Sequence, residues 1–115
     1  MRLKSSIWVM AFLRQCASAG ATAVVARKGQ ESAGAVFIKV IRRDRRVALF
    51  GPAPAGQESP DGDRLFCACL KEDWLPEADA DAYIERQGRF DPDFWLVEVE
   101  DREGRHFLGG RLTVP

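Results

Sequence analysis

Several features on which protein chemistry often depends are scarce in this sequence, among them histidine, cysteine and a surplus of one charge. The only histidine, His106, lies near a predicted surface turn, so no cysteine–histidine pair for nucleophilic catalysis can be recognised. The 17 Lys and Arg residues are balanced by 17 Asp and Glu residues, so no global field draws the chain towards nucleic acid or an anionic membrane. A nucleic-acid partner would have to use a local patch of positive charge.

Long apolar runs are also absent. The apolar run at the amino terminus, residues 7–13, is seven residues long, whereas a membrane-spanning helix needs about 20. This run follows Arg2 and Lys4 and so imitates a signal peptide, but it ends at Arg14. We therefore expect a core helix here, in a protein that neither enters a membrane nor is exported.

The three cysteines exclude a chain in which every thiol is paired. Cys67 and Cys69 point to the same face of a predicted strand, whereas Cys16 belongs to a helical segment, and buried, reduced thiols of a cytoplasmic protein are the simplest interpretation. Together with His106 they contain the atoms for tetrahedral zinc, but zinc signatures consist of closely spaced ligand pairs, which are missing here. We expect neither a metal nor a cofactor.

What the chain does have is the composition of an ordinary globular protein. Its 115 residues are 46% hydrophobic and 30% charged, which favours one domain, 1–115, with one core. A domain of this size buries about two-thirds of the surface that its unfolded chain exposes. It therefore needs no disulfide or structural metal for stability.

The first half of the sequence predicts a helix followed by strands. Apolar residues recur at helical spacing over 7–19, where Ser5 or Ser6 can cap the start and Gly20 the end. The pattern then alternates, as is typical of strands. Three strands are predicted, at 22–28, 35–42 and 46–50. Their short connections predict an antiparallel meander.

The second half begins with a loop at 51–63 that contains three Pro and three Gly and is predicted to be mobile. A fourth strand is predicted at 64–70. A second helix should run from Pro76 to Gln87 and end at Gly88, and its thin apolar side predicts that it packs at the rim of the sheet.

The closing segment turns at Pro92 and enters a fifth strand, in which Trp95 and Val97 share one face. A short terminal strand is predicted at 107–108. The fold class predicted from these elements is α+β: an amino-terminal helix on a mainly antiparallel sheet of about five strands, with a second helix between strands 4 and 5.

Four segments of the sequence together resemble a known family. They are RLKSSIWVMAFLR at the start, GAVFIKV in the second predicted strand, LFGPAP, and the closing RQGRFDPDFWLVEVED. This combination is similar to domain of unknown function 1491, a family of short alphaproteobacterial proteins. The resemblance implies a bacterial cytosolic protein of this length, and it brings no activity, substrate or catalytic residue with it.

The densest cluster of charge is the predicted hairpin tip at 42–46. Its basic residues are Arg42, Arg43, Arg45 and Arg46. Guanidinium groups gathered in this way can meet phosphates, and Lys28 and Lys39 could extend the patch. No aromatic residues for base stacking are interleaved with them, so the tip is more simply explained as a solvated charged turn. Nucleic-acid binding at this tip is one alternative function.

The acidic residues near the end of the chain are the second candidate. Asp91 and Asp93 could gather with the carboxylates of the fifth strand, but their spacing does not match a calcium loop. They act more simply as turn-forming residues that Arg86 and Arg89 neutralise. A hydrolase-like or metal-dependent enzyme using the carboxylates of 91–100 is an alternative that requires a cleft at this place.

Protein interaction is the function that the sequence favours. Three Trp and seven Phe are many for this length, and a small sheet can leave rings such as Phe94 or Trp74 uncovered. Trp95 belongs to the same set of candidate binding residues. We expect a non-catalytic binding protein whose partner is another protein or a second copy of the chain.

Overall fold

The computed structural model describes residues 2–54, 59 and 62–113. It begins with the helix α1, Ser5–Ser18, whose buried residues recur at the spacing of one helical face. Among the residues described, none caps this helix with its side chain: Lys4 stands at the cap position, and the Ser5 hydroxyl donates instead to the Gly34 carbonyl oxygen at 2.6 Å. The predicted serine cap is therefore wrong, because Ser5 is buried and tied to another segment.

Five strands form one mixed sheet, most of whose strand pairs are antiparallel. The strands are β1 Thr22–Arg27, β2 Val36–Ile41, β3 Val47–Pro52, β4 Phe66–Ala68 and β5 Trp95–Glu100. Their order is β1-β5-β2-β3-β4. The fold class predicted from the sequence is confirmed, and β3 extends two residues into the segment predicted as a mobile loop. Of that loop, residues 55–58, 60 and 61 lie outside the described part of the chain.

The predicted meander is wrong at its first step, because β5 lies between β1 and β2. It runs antiparallel to β1 and parallel to β2. The connection between β1 and β2 passes the start of β5 and bonds to it: the Gln30 N–H donates to the Asp93 carbonyl oxygen at 2.8 Å. Since neighbouring strands are only about 4.8 Å apart, the connection, residues 28–35, is long enough to pass the end of one intervening strand.

The second helix, α2, spans Glu77–Phe90 and covers the sheet face opposite to α1. Ala80, Tyr83 and Ile84 pack there against residues of three strands, namely Phe37, Ile41, Val47, Leu49 and Leu96, and against Phe94. The predicted position at the rim is therefore wrong, because a narrow apolar stripe of small and medium side chains is enough to cover the sheet centre.

Three features of the second half of the chain also differ from the predictions. Gly88 lies inside α2 and does not end it; a Cβ there would come within 3.3 Å of Nη1 at the end of the Arg27 side chain. In place of the predicted terminal strand, Phe107 has a φ of 57° and a 3₁₀ turn, Gly109–Arg111, follows. The fourth strand is shorter than predicted, three residues in all.

The resulting core has two parts, one on each face of the sheet. Trp8, Phe12 and Cys16 of α1 cover alternate residues of the central strands, among them Ile38 and Val97. On the opposite face, the intervening residues of the same strands, among them Phe37 and Leu96, pack against α2. The strands β2, β3 and β5 are buried on both faces as a result, whereas β1 alternates between half-buried and exposed residues at the sheet edge.

Candidate functional site

A cleft of about 980 Å³ lies at the end of the sheet where the parallel strands β2 and β5 both finish. Parallel neighbours deliver the loops that follow them to the same edge, which is where many open α/β sheets bind ligands. We call this the arginine cleft. Its charged lining consists of Arg42, Arg43, Arg45, Arg102 and Arg105 together with Asp44, Glu100, Asp101 and Glu103.

One wall of the arginine cleft is the β2–β3 hairpin tip. Arg42 Nη2 lies 2.6 Å from Asp44 Oδ2, and its guanidinium group stacks 4.3 Å above the Trp74 ring. The hydrogen bond from Arg42 lowers the pKa of Asp44 to about 2. Arg46 Nη1 donates to the Trp74 carbonyl oxygen at 3.2 Å. Two of the four predicted phosphate-binding arginines thus serve to hold the hairpin against Trp74.

The opposite wall is the loop after β5. The Asp101 carboxylate is buried and accepts a hydrogen bond from Arg105 Nη2 at 2.7 Å and others from the backbone N–H groups of Glu103 and Arg105. The side-chain bond from Arg105 lowers the pKa of Asp101. Arg45 Nη1 lies 3.6 Å from Glu100 Oε1 and so links the two walls.

Arg43 and Arg102 differ from their neighbours in the arginine cleft. Neither has an ion pair or a hydrogen bond to its side chain within residues 2–54, 59 and 62–113. Both are exposed and line the cleft, one from each wall. They are the two side chains of this cleft whose positive charge is not already matched.

The predicted acidic site at the closing segment has a structural explanation. Asp91 Oδ1 accepts a hydrogen bond from the Asp93 N–H at 2.9 Å, which forms the predicted turn. The predicted neutralisation is not what the structure shows, because Arg89 pairs with Glu85 at 3.3 Å and Arg86 lies 5.9 Å from the Tyr83 ring centre. The arginine cleft and a shallower one beside Arg111 include none of these four candidates.

Of the two aromatic residues expected to be uncovered, Trp74 is half-buried beneath Arg42, whereas Phe94 belongs to the core, as does the candidate binding residue Trp95. Phe94 is 0% exposed, lying against Phe37 with its ring centre 5.3 Å away and under the Arg27 guanidinium group. Trp95 is 5% exposed and its Nε1 donates to the Gln30 carbonyl oxygen at 2.8 Å. These two rings therefore offer almost no surface to a partner.

Lys39 was expected to extend the basic patch, and this expectation is wrong because the side chain is buried beneath α2. Its Nζ lies 2.8 Å from Glu77, 2.9 Å from Glu98 and 3.3 Å from Asp81. Burial by itself lowers the pKa of Lys39, but hydrogen bonds to Glu77 and Glu98 outweigh it and raise that pKa above its ordinary value. We call these four residues the Lys39 cluster.

The atoms considered for zinc are held apart by the sheet. Cys16 packs on the α1 face, whereas Cys69 packs on the α2 face beside Tyr83. His106 Nδ1 accepts a hydrogen bond from the Leu108 N–H at 2.9 Å. Burial raises the pKa of Cys16 to about 11 and that of Cys69 to about 12, so both are unreactive thiols. The part of the chain that the structure describes holds no group of three or more potential metal ligands.

A surface that sequence reasoning missed is the outer side of α1. Leu3, Ile7 and Met10 are 49%, 51% and 51% exposed, although all three are large apolar residues. Ile7 and Met10, three residues apart, form a short line on the side of α1 that faces away from the sheet, and Leu3 stands in the segment just before the helix begins. We call this line the α1 outer stripe.

The charge of α1 and of the residues just before and after it in the sequence is one-sided, and this signal was available in the sequence. Residues 1–30 contain five Lys or Arg and no Asp or Glu, so the remaining residues carry an equal surplus of negative charge. Three of the five cations, Arg2, Lys4 and Arg14, adjoin the α1 outer stripe in sequence. A balanced total charge concealed this asymmetry.

The architecture defines a small α+β protein with a mixed five-stranded sheet between two helices. A model of the family described as "Protein of unknown function (DUF1491)" matches residues 3–109, so the chain belongs to this family. This confirms the family resemblance seen in the sequence. No curated protein matches the chain.

Solved structures of other bacterial proteins are similar to this chain over almost its whole length. A crystal structure of a DUF1491 family protein from Caulobacter crescentus CB15 has 41% identity and a TM-score of 0.82, covering 98% of this chain and 100% of that one. The solution structure of protein Atu0922 from A. tumefaciens has 40% identity and a TM-score of 0.78, with 90% and 89% covered. Among the described residues, no helix is long and apolar enough to cross a membrane.

Proposed function

We propose that this protein is a non-catalytic, cytoplasmic binding protein whose α1 outer stripe docks onto an acidic surface of another protein. The observation that carries the proposal is the pair Ile7 and Met10, each about half exposed on one side of a helix whose opposite side is in the core, together with the equally exposed Leu3 just before that helix. Single exposed apolar residues are ordinary, but an aligned group on one helix face is typical of interfaces. The three free cysteines support a reducing compartment.

The chemistry of the partner is inferred from the charge. Because residues 1–30 contain no Asp or Glu, the charged side chains of α1 and of the segment before it are all cations. Glu31 is the acidic residue beside the start of the helix, where its carbonyl oxygen accepts a hydrogen bond from the Ser6 N–H at 3.0 Å. An acidic, partly apolar surface is complementary to this arrangement, and the attraction would speed association at low salt.

A second copy of the chain is a poorer occupant. In a two-fold symmetric dimer the same patch meets itself, so Arg2, Lys4 and Arg14 of one protomer would face those of its partner. Like charges brought together in an interface are unfavourable. A membrane surface is also a poorer fit, since membrane-bound helices bury a wide apolar face, and the wide face of α1 is already buried on the sheet.

The test compares two double variants of α1. Ile7→Gln with Met10→Gln removes the apolar stripe, and Ala17→Gln with Ala19→Gln places the same side chains at two exposed alanines at the carboxyl end of the same helix, about two turns beyond Met10. Proteins that co-purify with the full chain from the source cells are identified, and their affinities are measured with purified components. We expect an acidic partner that binds the wild type and the alanine-site control alike, and the stripe variant at least about tenfold more weakly, about 1.4 kcal/mol.

The dependence of the binding affinity on salt is a second test of the proposal. Raising the ionic strength from about 0.1 M to about 1 M shortens the screening length from about 10 Å to about 3 Å and should weaken binding. Equal affinity of both double variants would refute the α1 outer stripe as the binding surface. A different outcome is that light scattering detects a concentration-dependent dimer of the wild type that is lost in the stripe variant alone. This result would identify a second copy of the chain as the occupant and would refute the proposal of an acidic partner.

A further inference from the structure

We propose that the arginine cleft binds one phosphate group of a small phosphorylated molecule, with Arg43 and Arg102 as its main contacts. This site is separate from the α1 outer stripe. The cleft is formed by the two loops that follow the parallel strands β2 and β5, and its volume of about 980 Å³ is enough for a mononucleotide-sized ligand.

The pairing within the cleft decides which side chains remain for a ligand. Arg42 is matched by Asp44, Arg105 by Asp101, and Arg45 by Glu100. Arg43 and Arg102 are left with no such partner in the described part of the chain, one on each side of the cleft. A guanidinium group presents a planar fork of N–H donors that fits phosphate oxygens, so two of them can hold one phosphate from both sides.

The paired arginines have a different role, because they fix the walls of the cleft. Arg42 and Arg46 hold the hairpin tip on Trp74, and the Trp74 ring in turn lies against Gly104 of the opposite loop. Asp101 organises that loop through bonds to Arg105 and to two backbone N–H groups. The backbone that carries Arg43 and Arg102 is thus braced before a ligand arrives, which lowers the entropic cost of binding.

The same lining favours a single phosphate over a nucleic-acid strand. Four carboxylates line the cleft among its five arginines. A polyanion laid across it would meet Glu100 and Glu103 as well as the arginines, whereas one phosphate needs only the space between the two unmatched guanidinium groups. Interleaved aromatic rings that would stack successive bases are absent from the residues that line this cleft.

In the experiment, the full chain is titrated with inorganic phosphate and with adenosine 5′-monophosphate. Calorimetry measures the binding affinity, and backbone amide chemical shifts locate the binding site. Adenosine, which has no phosphate, is the ligand control. The test variant is Arg43→Gln with Arg102→Gln, and the matched control is Arg86→Gln with Arg89→Gln, two exposed arginines of α2 outside the cleft. Amide spectra of each variant establish that the fold is retained.

We expect both phosphate-bearing probes to bind and to shift amides of the two cleft loops, while adenosine binds at least tenfold more weakly than its monophosphate. The cleft variant should bind each probe at least tenfold more weakly than the wild type, and the α2 control should bind as the wild type does. Absence of phosphate binding at millimolar concentration, or equal binding by the two variants, would overturn the proposal.

A single-stranded oligonucleotide tests whether the phosphate that the cleft binds belongs to a nucleic-acid strand or to a small molecule. Binding of a twelve-nucleotide strand much more tightly than the mononucleotide, with a steep dependence on salt and loss in the cleft variant, would overturn the single-phosphate site in favour of a nucleic-acid interface. The Ile7→Gln with Met10→Gln variant should bind phosphate normally. The two proposals therefore succeed or fail independently.

Discussion

Lys39 shows at the scale of one residue how a polar group can occupy the centre of a sheet. Its neighbours along β2 are apolar and buried, and its charge is matched by Glu98 from β5 and by Glu77 and Asp81 from α2. Breaking a buried ion pair leaves the remaining charges without a partner, which costs more than the pair itself contributes. The Lys39 cluster therefore joins α2 to the sheet by charge as well as by apolar packing.

Replacing this lysine should have a pH-dependent cost. The Lys39 bond lowers the pKa of Glu77 below its ordinary 4.5, and Lys39 itself titrates above its ordinary 10.5, so the pair stabilises the fold between these values. The contribution is lost as the pH falls through the lowered pKa of Glu77, and as it rises through the raised pKa of Lys39. We expect Lys39→Met to lower the free energy of unfolding at pH 7 by about 2 kcal/mol.

Denaturant titrations at pH 7 and pH 3 check this expectation, with Lys28→Met as the control at an exposed lysine. The difference between Lys39→Met and the wild type should narrow at pH 3, which lies below the ordinary pKa of Glu77, because the stability that comes from the lowered pKa of Glu77 is lost as the pH falls. The control should stay within about 0.5 kcal/mol of the wild type at both pH values. A Lys39→Met protein as stable as the wild type at pH 7 would contradict the role of the cluster.

The hairpin and the loop after β5 are elements that the structure connects through Trp74. This residue has a φ of 66°, carries Arg42 on its ring and accepts a bond from Arg46 at its carbonyl oxygen. Gly104 has a φ of 77°, and a Cβ there would lie 2.3 Å from the Trp74 ring. Glycine is required at this point both by the backbone conformation and by the close approach of the ring.

Gly104→Ala should therefore destabilise the protein. A positive φ costs an L-residue about 1–2 kcal/mol, and overpacking against a ring adds about 1–3 kcal/mol, so we expect a total loss of at least about 2 kcal/mol. Gly110→Ala is the control, because a Cβ there has no atom within 4 Å. Denaturant unfolding measures both variants, and equal stabilities of the two would contradict the packing of Trp74 on the loop.

The whole molecule depends on its last strand. β5 separates β1 from β2 and contributes alternate residues to both parts of the core, so neither face is complete before the chain reaches residue 100. Such non-local pairing favours slow but cooperative folding, since no early unit buries its own core. Loss of β5 would remove the neighbour of two strands at once.

This dependence predicts one unfolding transition. Far-UV circular dichroism and tryptophan fluorescence should give coincident unfolding curves. Val97→Ala, at a fully buried position of β5, should lower the free energy of unfolding obtained from both probes by about 2 kcal/mol. Val24→Ala at the half-exposed edge strand is the control and should have a much smaller effect. Separate transitions for the two probes would show instead that the two faces of the sheet unfold independently.

Much of the fold was predictable from the sequence because its signals are local. Helical spacing gave α1, alternation after Gly20 gave the strands, and the turn at Asp91 followed from a side chain that bonds to the backbone two residues on. The basic hairpin tip was likewise visible as a cluster of arginines. The sequence thus predicted where arginines gather, but it did not show which of them are already paired with carboxylates.

By itself, the sequence determined the elements, the fold class and the family, because each depends on neighbouring residues or on whole-chain similarity. Only the tertiary structure decided that β5 enters between β1 and β2, that Lys39 is buried, and that Arg43 and Arg102 remain unmatched in the described part of the cleft. The physical reason is the same in each case. Strand pairing, burial and ion pairing depend on residues far apart in the chain, and the local pattern is compatible with several such arrangements.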